Sequence, residues 1–304
     1  MHRVDLGQVS DHEGEDMSLA DVDLSTYDVP GRGRGLLDVL RRGYLLRLLV
    51  RKGTATRYRN SVLGWTWSYV KPGVQFGVYF FIVGLVLQMN RGVEYFPVYL
   101  FSGLILVNFF NEAFGNATTA IVENRALVRK IYLPRELFPV AAVIVALIHF
   151  IPQVAILLVI TIFLGWVPTF SSIGIALAAT ILIAVFALGL GMMFGAVNVR
   201  FRDAQNFVEI IRMVSMWSTP TLYTWGLMRD VLPGWGFNVY FANPLSIGVE
   251  MFHEAFWAPI ISGQEPWPPN TMSLILVAGV LSIATVLIGQ FMFRRFERTF
   301  AQDL

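Results

Sequence analysis

Read for its apolar and polar positions, the chain shows six long apolar stretches separated by short polar ones: residues 73–89, 96–119, 137–164, 172–197, 207–225 and 272–293. At about 1.5 Å per residue each is long enough, or nearly so, to cross about 30 Å of hydrocarbon as a helix. The pattern therefore predicts an all-α integral membrane protein with six transmembrane helices. Before the first of them, residues 36–52 interleave leucines with Arg41, Arg42, Arg47, Arg51 and Lys52. On a helix, Leu36, Leu37, Leu40, Tyr44 and Leu48 share one arc, into which Arg47 and Arg51 project, so the amphipathicity is imperfect. Arginine stems can snorkel around such a conflict. Two readings are open: an N-terminal interface helix lying on the inner membrane surface among anionic lipids, or a short basic helix packed on the rest of the protein. Trp65, Trp67 and Tyr69 follow at once as interfacial anchors.

Residues 226–271 do not read as a solvated loop. They carry Trp235, Phe237, Tyr240, Phe241, Phe252, Phe256, Trp257 and Trp267, punctuated by six prolines. One reading is one or two short re-entrant external helices before the last span, tolerated in lipid only if their backbone is buried in protein or lines a cavity. The other is an interfacial aromatic belt. No internal repeat relates the first three spans to the last three.

Composition and charge sharpen this picture. Hydrophobic residues make up 55% of the 304 and charged ones 14%, which excludes an ordinary soluble enzyme. Residues 1–28 hold eight acidic side chains and one basic one, with few large apolar residues. They read as part of a disordered acidic cytosolic tail over residues 1–30. An interface-helix region follows over residues 31–66, then a six-span unit over residues 67–304. Basic residues cluster in alternate segments: ten from Arg3 to Arg59, Lys71, four in residues 120–136, two in 198–206 and three at the C-terminus. Outside the spans, the opposite side holds only Arg91 and Arg229. That asymmetry predicts that both termini are cytosolic.

No catalytic constellation is visible. The phosphate-binding pattern GxxxxGK[ST] does not occur, nor do HExxH or GxSxG. With no cysteine and one isolated Glu-x-x-His at Glu250–His253, there is no metal-ligand set. Three charged residues lie within predicted spans, where charge is expensive. Glu112 sits in a polar stripe with Asn108, Asn111, Asn116, Thr118 and Thr119, facing water or a partner helix. Glu209 and Arg212 are three apart and are expected to pair with each other. The run GMMFG, with Gly191 and Gly195 four apart, is expected to let another helix approach closely. Between the second and third spans, ENRALVRKIYLPRE (Glu123–Glu136) reads as a short cytosolic helix with an apolar set ended by Pro134, suited to a groove on another protein, or as a plain re-entry loop.

Four segments carry a resemblance: RYRNSVLGWTWSYVKPG (Arg57–Gly73), the ENRALVRKIYLPRE segment, VRFRDAQNFVEI (Val199–Ile210) with TPTLY (Thr219–Tyr223), and NPLSIGVEMFHEAF (Asn243–Phe256). In order and place they resemble the permease subunits of bacterial ATP-binding-cassette polysaccharide exporters of the O-antigen, teichoic acid and galactan type. The resemblance implies a non-enzymatic transport subunit, multi-pass in the bacterial plasma membrane. It also implies a second copy of the chain, two separate ATPase subunits that bind ATP and Mg, and a lipid-linked glycan as substrate. No cofactor in this chain and no nucleic acid partner are expected. Residues 124–134 would be the coupling helix, with Arg125, Leu127, Val128, Arg129, Lys130 and Ile131 meeting the ATPase, chiefly through the apolar three. Residues 36–60 would be the interface helix and 228–260 the external gate helices. Channel or gate aromatics would be Trp217, Tyr223, Trp235, Tyr240, Phe252, Phe256 and Trp257. A drug or lipid exporter of the same architecture is the alternative, followed by a membrane-embedded transferase or a scaffold. The acidic tail is longer than the usual start of such subunits.

Overall fold

The computed structural model describes residues 35–57, 62, 64–130, 133–262, 267–297 and 300. The expected acidic tail and the first residues of the interface-helix region, 31–34, lie outside these residues. Among the described residues the chain is helical, without strands. Helices α1 (Leu36–Arg41) and α2 (Gly43–Arg57) are followed by α3 (Trp67–Tyr79), which runs on as a π-helical segment through Phe80–Val86. Then come α4 (Phe96–Glu123), the short α5 (Arg125–Lys130), α6 (Leu137–Phe163), α7 (Phe170–Arg200) and α8 (Ala204–Ser215). The chain closes with α9 (Trp225–Val231), α10 (Gly234–Ala242), α11 (Pro244–Phe256) and α12 (Thr271–Glu297).

Five of the described segments are long and apolar enough to cross a membrane: Trp67–Val86, Phe96–Glu123, Leu137–Phe163, Phe170–Arg200 and Thr271–Phe296. The stretch expected to cross over residues 207–225 is not one helix. Its helix, α8, stops at Ser215, and residues 216–224 form turns around Pro220 before α9 begins. The cause is local: Pro220 lacks the N–H that would continue the ladder and disfavours helical geometry at Thr219, while Ser218 and Thr219 bond their hydroxyls to backbone carbonyls instead.

Helix α4 is the centre of the fold. Of its most apolar stretch 72% is buried, against 11% for the α3 segment, and it packs on α6, α7, α8 and α11. It carries large side chains along its length, with Tyr99, Leu100, Leu104, Phe110 and Phe114 all fully buried. Helix α3 touches this core through Phe76, Phe80 and Val83, while Phe81, Ile82, Leu85 and Val86 point away from it. Helix α2 packs on α6, with Gly53 against Val145, and displays Tyr44 and Leu48 on its free side. One face of α2 is thus taken by the protein, and the other is exposed and partly apolar.

Close helix approach depends on missing side chains in α7. A Cβ on Gly191 would lie 2.4 Å from that of Ala117 in α4, and one on Gly195 would lie 3.3 Å from the Ala117 carbonyl oxygen. The expected packing role of GMMFG is what the structure shows. Gly189 does the same against α12, where a Cβ would sit 2.6 Å from the backbone of Thr285 and Val286. Backbone cannot move aside as a flexible side chain can, so Gly189→Leu or Gly191→Leu should lower stability by about 1–3 kcal/mol or more. Gly174→Leu, on the same helix with nothing within 4 Å, should be neutral. Thermal melting of the detergent-solubilised variants by size-exclusion recovery checks the contrast.

Candidate functional site

Three neighbourhoods could carry function. The first is α5. Val128 is buried and Leu127 half-buried, both packed into a cluster with Ala120, Ile121 and Phe138. Arg125, Ala126, Arg129 and Lys130 form the exposed face, and Ile131 lies outside the described residues. The apolar residues of this helix therefore fasten it to its own chain, and what it presents outward is basic. The period explains this: at six residues, α5 has one apolar face, and the bundle has used it.

The second neighbourhood is a cavity of about 630 Å³ walled by α3, α4, α6 and α8. Asn108, Asn111, Glu112 and Asn116 of α4 line it, at spacings that put them on one helical face. Ser68, Lys71 and Gln75 do the same on α3, and Glu209, Arg212 and Met213 on α8. Four of the six residues of the polar stripe expected of the second span thus face an open cavity, while Thr118 and Thr119 bond to their own helix backbone instead, and all three charged in-span residues, Glu112, Glu209 and Arg212, come together there. The expected Glu209–Arg212 ion pair is not formed. The Arg212 guanidinium turns instead to α4 and packs over Gly115, where a Cβ would meet its Nη1 at 2.9 Å. Hydrogen bonds brace the walls: Asn108 Nδ2 donates to Gln75 Oε1 at 3.1 Å, and Ser215 Oγ to Asn111 Oδ1 at 2.9 Å. With Lys71 and Arg212 set against Glu112 and Glu209, the cavity is formally neutral and rich in donors and acceptors of both kinds. Sequence reasoning missed Gln75, Ser68 and Gln153 as members of the site. Gln75, four residues after Lys71, was the available signal.

The third neighbourhood surrounds the turns after α8. The Tyr99 hydroxyl lies 2.7 Å from the Pro220 carbonyl oxygen and 2.9 Å from that of Tyr223, a donor set between two backbone acceptors. The Tyr99 ring stacks on His253 with centroids 3.8 Å apart, and Trp257 meets it edge-on. His253 Nε2 donates to the Tyr99 carbonyl at 3.1 Å, so that nitrogen is protonated. Its Nδ1 is 3.4 Å from Glu250 Oε2, an ion pair when the ring carries both protons. Ser246 Oγ donates to the Ser218 carbonyl, and the hydroxyls of Tyr223 and Tyr240 meet at 3.1 Å. Beyond the N-terminus of α4, Trp257 Nε1 donates to the Glu94 carbonyl, and the Glu94 carboxylate accepts from Ser262. Of the aromatics expected to line a channel or gate, Phe252, Phe256 and Trp257 are buried in the core, with Phe252 against Phe150 and Phe256 against Trp166. Tyr223 and Tyr240 are half-buried, and Trp217 and Trp235 are exposed.

Residues 44–257, which contain α5, every wall of the cavity and all of this network except Ser262, match the family model described as ABC-2 type transporter. The chain belongs to the ABC-2 type transporter family. It is 26% identical over 266 residues to the O-antigen export system permease protein RfbA of Klebsiella pneumoniae, covering 86% of this chain and 96% of that protein. The protein of the same name from Myxococcus xanthus is 30% identical over 189 residues, 62% of this chain and 71% of its own length. The polysialic acid transport protein KpsM of Escherichia coli is 23% identical over 252 residues, 80% of this chain and 89% of its own.

The Tyr99 hydroxyl gives a direct test. Tyr99→Phe keeps the ring on His253 and removes the donor shared by two buried carbonyls. It should cost about 1–3 kcal/mol, read as a lower melting temperature in detergent, whereas Tyr95→Phe, at an exposed residue, should leave it unchanged.

Proposed function

We propose that this chain is the membrane-spanning permease subunit of an ATP-driven exporter that moves a lipid-linked polysaccharide out of the cytoplasm. It works as a homodimer in the bacterial plasma membrane, with both termini cytosolic. The observation that carries this reading is the match along nearly the whole length of a protein named as an O-antigen export permease. The chain has no phosphate-binding loop, so ATP and its Mg belong to two separate ATPase subunits, and work reaches the bundle by contact.

The packing against α4, used as a ruler, supports a reading of six crossings. Arg212 lies beside Gly115, Ser215 beside Asn111, Thr221 beside Gly103 and Tyr223 beside Tyr99, so the chain climbs antiparallel to α4. Gly248 then lies back beside Leu106, His253 beside Tyr99 and Trp257 beside Glu94. Between Tyr223 and Gly248 the chain returns by seven residues of α4, about 10 Å, and climbs again. The fifth crossing is thus α8 for the inner half and α11 for the outer half, joined by re-entrant α9 and α10. Basic residues gather in the segments on the α5 side of the bundle, which supports a cytosolic α5.

The formally neutral, hydroxyl- and amide-lined cavity suits sugar rings, which exchange one hydrogen bond for another as they pass. Trp217, Tyr223, Trp235 and Tyr240 offer ring faces beyond it. Phe252, Phe256 and Trp257 act by holding α11 on α4, α6 and α7. Deleting the gene should abolish surface glycan, and plasmid-borne wild type should restore it; unchanged surface glycan in the deletion strain would refute the export reading.

Coupling through α5 makes a separate prediction. Its exposed face is basic, so electrostatics should dominate contact with the ATPase subunit. Single loss of a rim charge, Arg129→Ala, should change recovery of the ATPase subunit by no more than about fivefold. Reversal of Arg125, Arg129 and Lys130 to Glu together should abolish it, because like charges facing the same partner cost several kcal/mol. Undiminished co-purification of the triple variant would remove α5 from the contact.

A further inference from the structure

Beside the polar cavity lies an apolar groove of about 270 Å³, and the two share a border. The groove is lined by Tyr69, Gly73 and Phe76 of α3, by Pro97, Val98 and Phe101 at the outer end of α4, and by the Ile156–Ile160 face of α6. Pro72 of α3 and Gln153 of α6 line both spaces. Gln153 is the polar element of the seam. It is 7% exposed, its Nε2 donates to the His149 carbonyl at 3.2 Å, and its Oε1 is buried with no hydrogen-bond partner. The buried Nε of Arg212 on the cavity side is likewise without a partner.

We infer that cavity and groove form one site for a glycolipid: sugar residues occupy the polar cavity, and a stretch of the attached hydrocarbon chain lies in the groove. The inference rests on the export reading and gives the lipid carrier of the glycan a place. The charge pattern favours a hydroxyl-rich head over a free anion, because Lys71 and Arg212 are balanced by Glu112 and Glu209 around the same space. A sugar hydroxyl both donates and accepts, so it can meet the unpartnered Gln153 Oε1 and the Arg212 Nε alike. The groove has almost no polar lining and is smaller than a drug-sized pocket of about 300–1,000 Å³. It holds a section of chain, while the remainder lies in the bilayer. Helix α3, the wall between the two spaces, is the least buried of the spans. It also carries Gly73 and Gly77, at neither of which an added Cβ would meet anything within 4 Å.

The test uses the full chain in phosphatidylcholine nanodiscs and a diazirine at the chain end of an alkyl maltoside, a neutral sugar-headed amphiphile. Phosphatidylcholine bearing the same diazirine is the comparison probe. The maltoside probe should label residues 69–76 and 153–160 in preference to the lipid-facing residues Leu276, Val280 and Leu287 of α12. Excess unlabelled alkyl maltoside should remove that preference, and maltose alone should not. Gly73→Phe puts a ring into the groove from a position where an added Cβ meets nothing within 4 Å and should abolish the preferential labelling, whereas Gly77→Phe, outside the groove, should leave it intact. Equal labelling of α12 and the groove, equal preference by the phosphatidylcholine probe, or insensitivity to Gly73→Phe would overturn the site. None of these outcomes depends on transport, and surface glycan in the deletion strain judges the export reading separately.

Discussion

Backbone polar groups freed by a break in a helix must be satisfied inside the protein when the surrounding solvent is hydrocarbon. That requirement governs the region between Ser215 and Pro244. The turns around Pro220 leave carbonyls that no helix ladder can use, and side chains answer for them. Tyr99 serves Pro220 and Tyr223, Tyr223 serves Trp217 from its own hydroxyl, and Ser246 serves Ser218. The burial of α4 follows from it, since the helix that supplies Tyr99 has to lie between the break and the rest of the bundle. So does the buried face of α11, whose His253 and Trp257 fix the Tyr99 ring from two sides.

With the break held in place, the inner and outer halves of the bundle take different characters. On the inner side, α8 stands off far enough from α3 to leave a polar cavity. On the outer side, α11 fills the corresponding space with Phe252 and Phe256 against α6 and its following loop. Glycines at 189, 191 and 289 lock α7 to α4 and α12 at backbone distance. Helix α3 has no such lock. A closely packed core of α4, α7, α11 and α12 thus stands beside a lightly held α3.

Much of this was legible in the chain. Apolar run length located five of the crossings, and the polar face of α4 was readable because Asn108, Asn111, Glu112 and Asn116 recur at helical spacing. The packing glycines of α7 announced themselves for the same reason. What periodicity could not show was the break after Ser215, because residues 207–225 remain apolar through it and hydropathy is blind to whether Pro220 kinks a helix or ends it. Nor could it show which way an aromatic points. Phe252, Phe256 and Trp257 look like Trp217 and Trp235 in composition, yet the first three are core and the last two are exposed. The face of α5 was misread for a related reason: an apolar set on a short helix says that something covers it, and here the covering is Ala120, Ile121 and Phe138 of the same chain.

The central claim is that α8 and α11 together make one crossing, with the hydrogen-bonded turns between them. Because the natural chain contains no cysteine, single cysteines can be placed without background and probed with a membrane-impermeant maleimide on intact and opened cells. Asn206→Cys, before the first turn of α8 is complete, should react only after the cells are opened, and Ser262→Cys, just beyond α11, should react from outside. Reaction of both positions from the same side would contradict the crossing and, with it, the account of the fold.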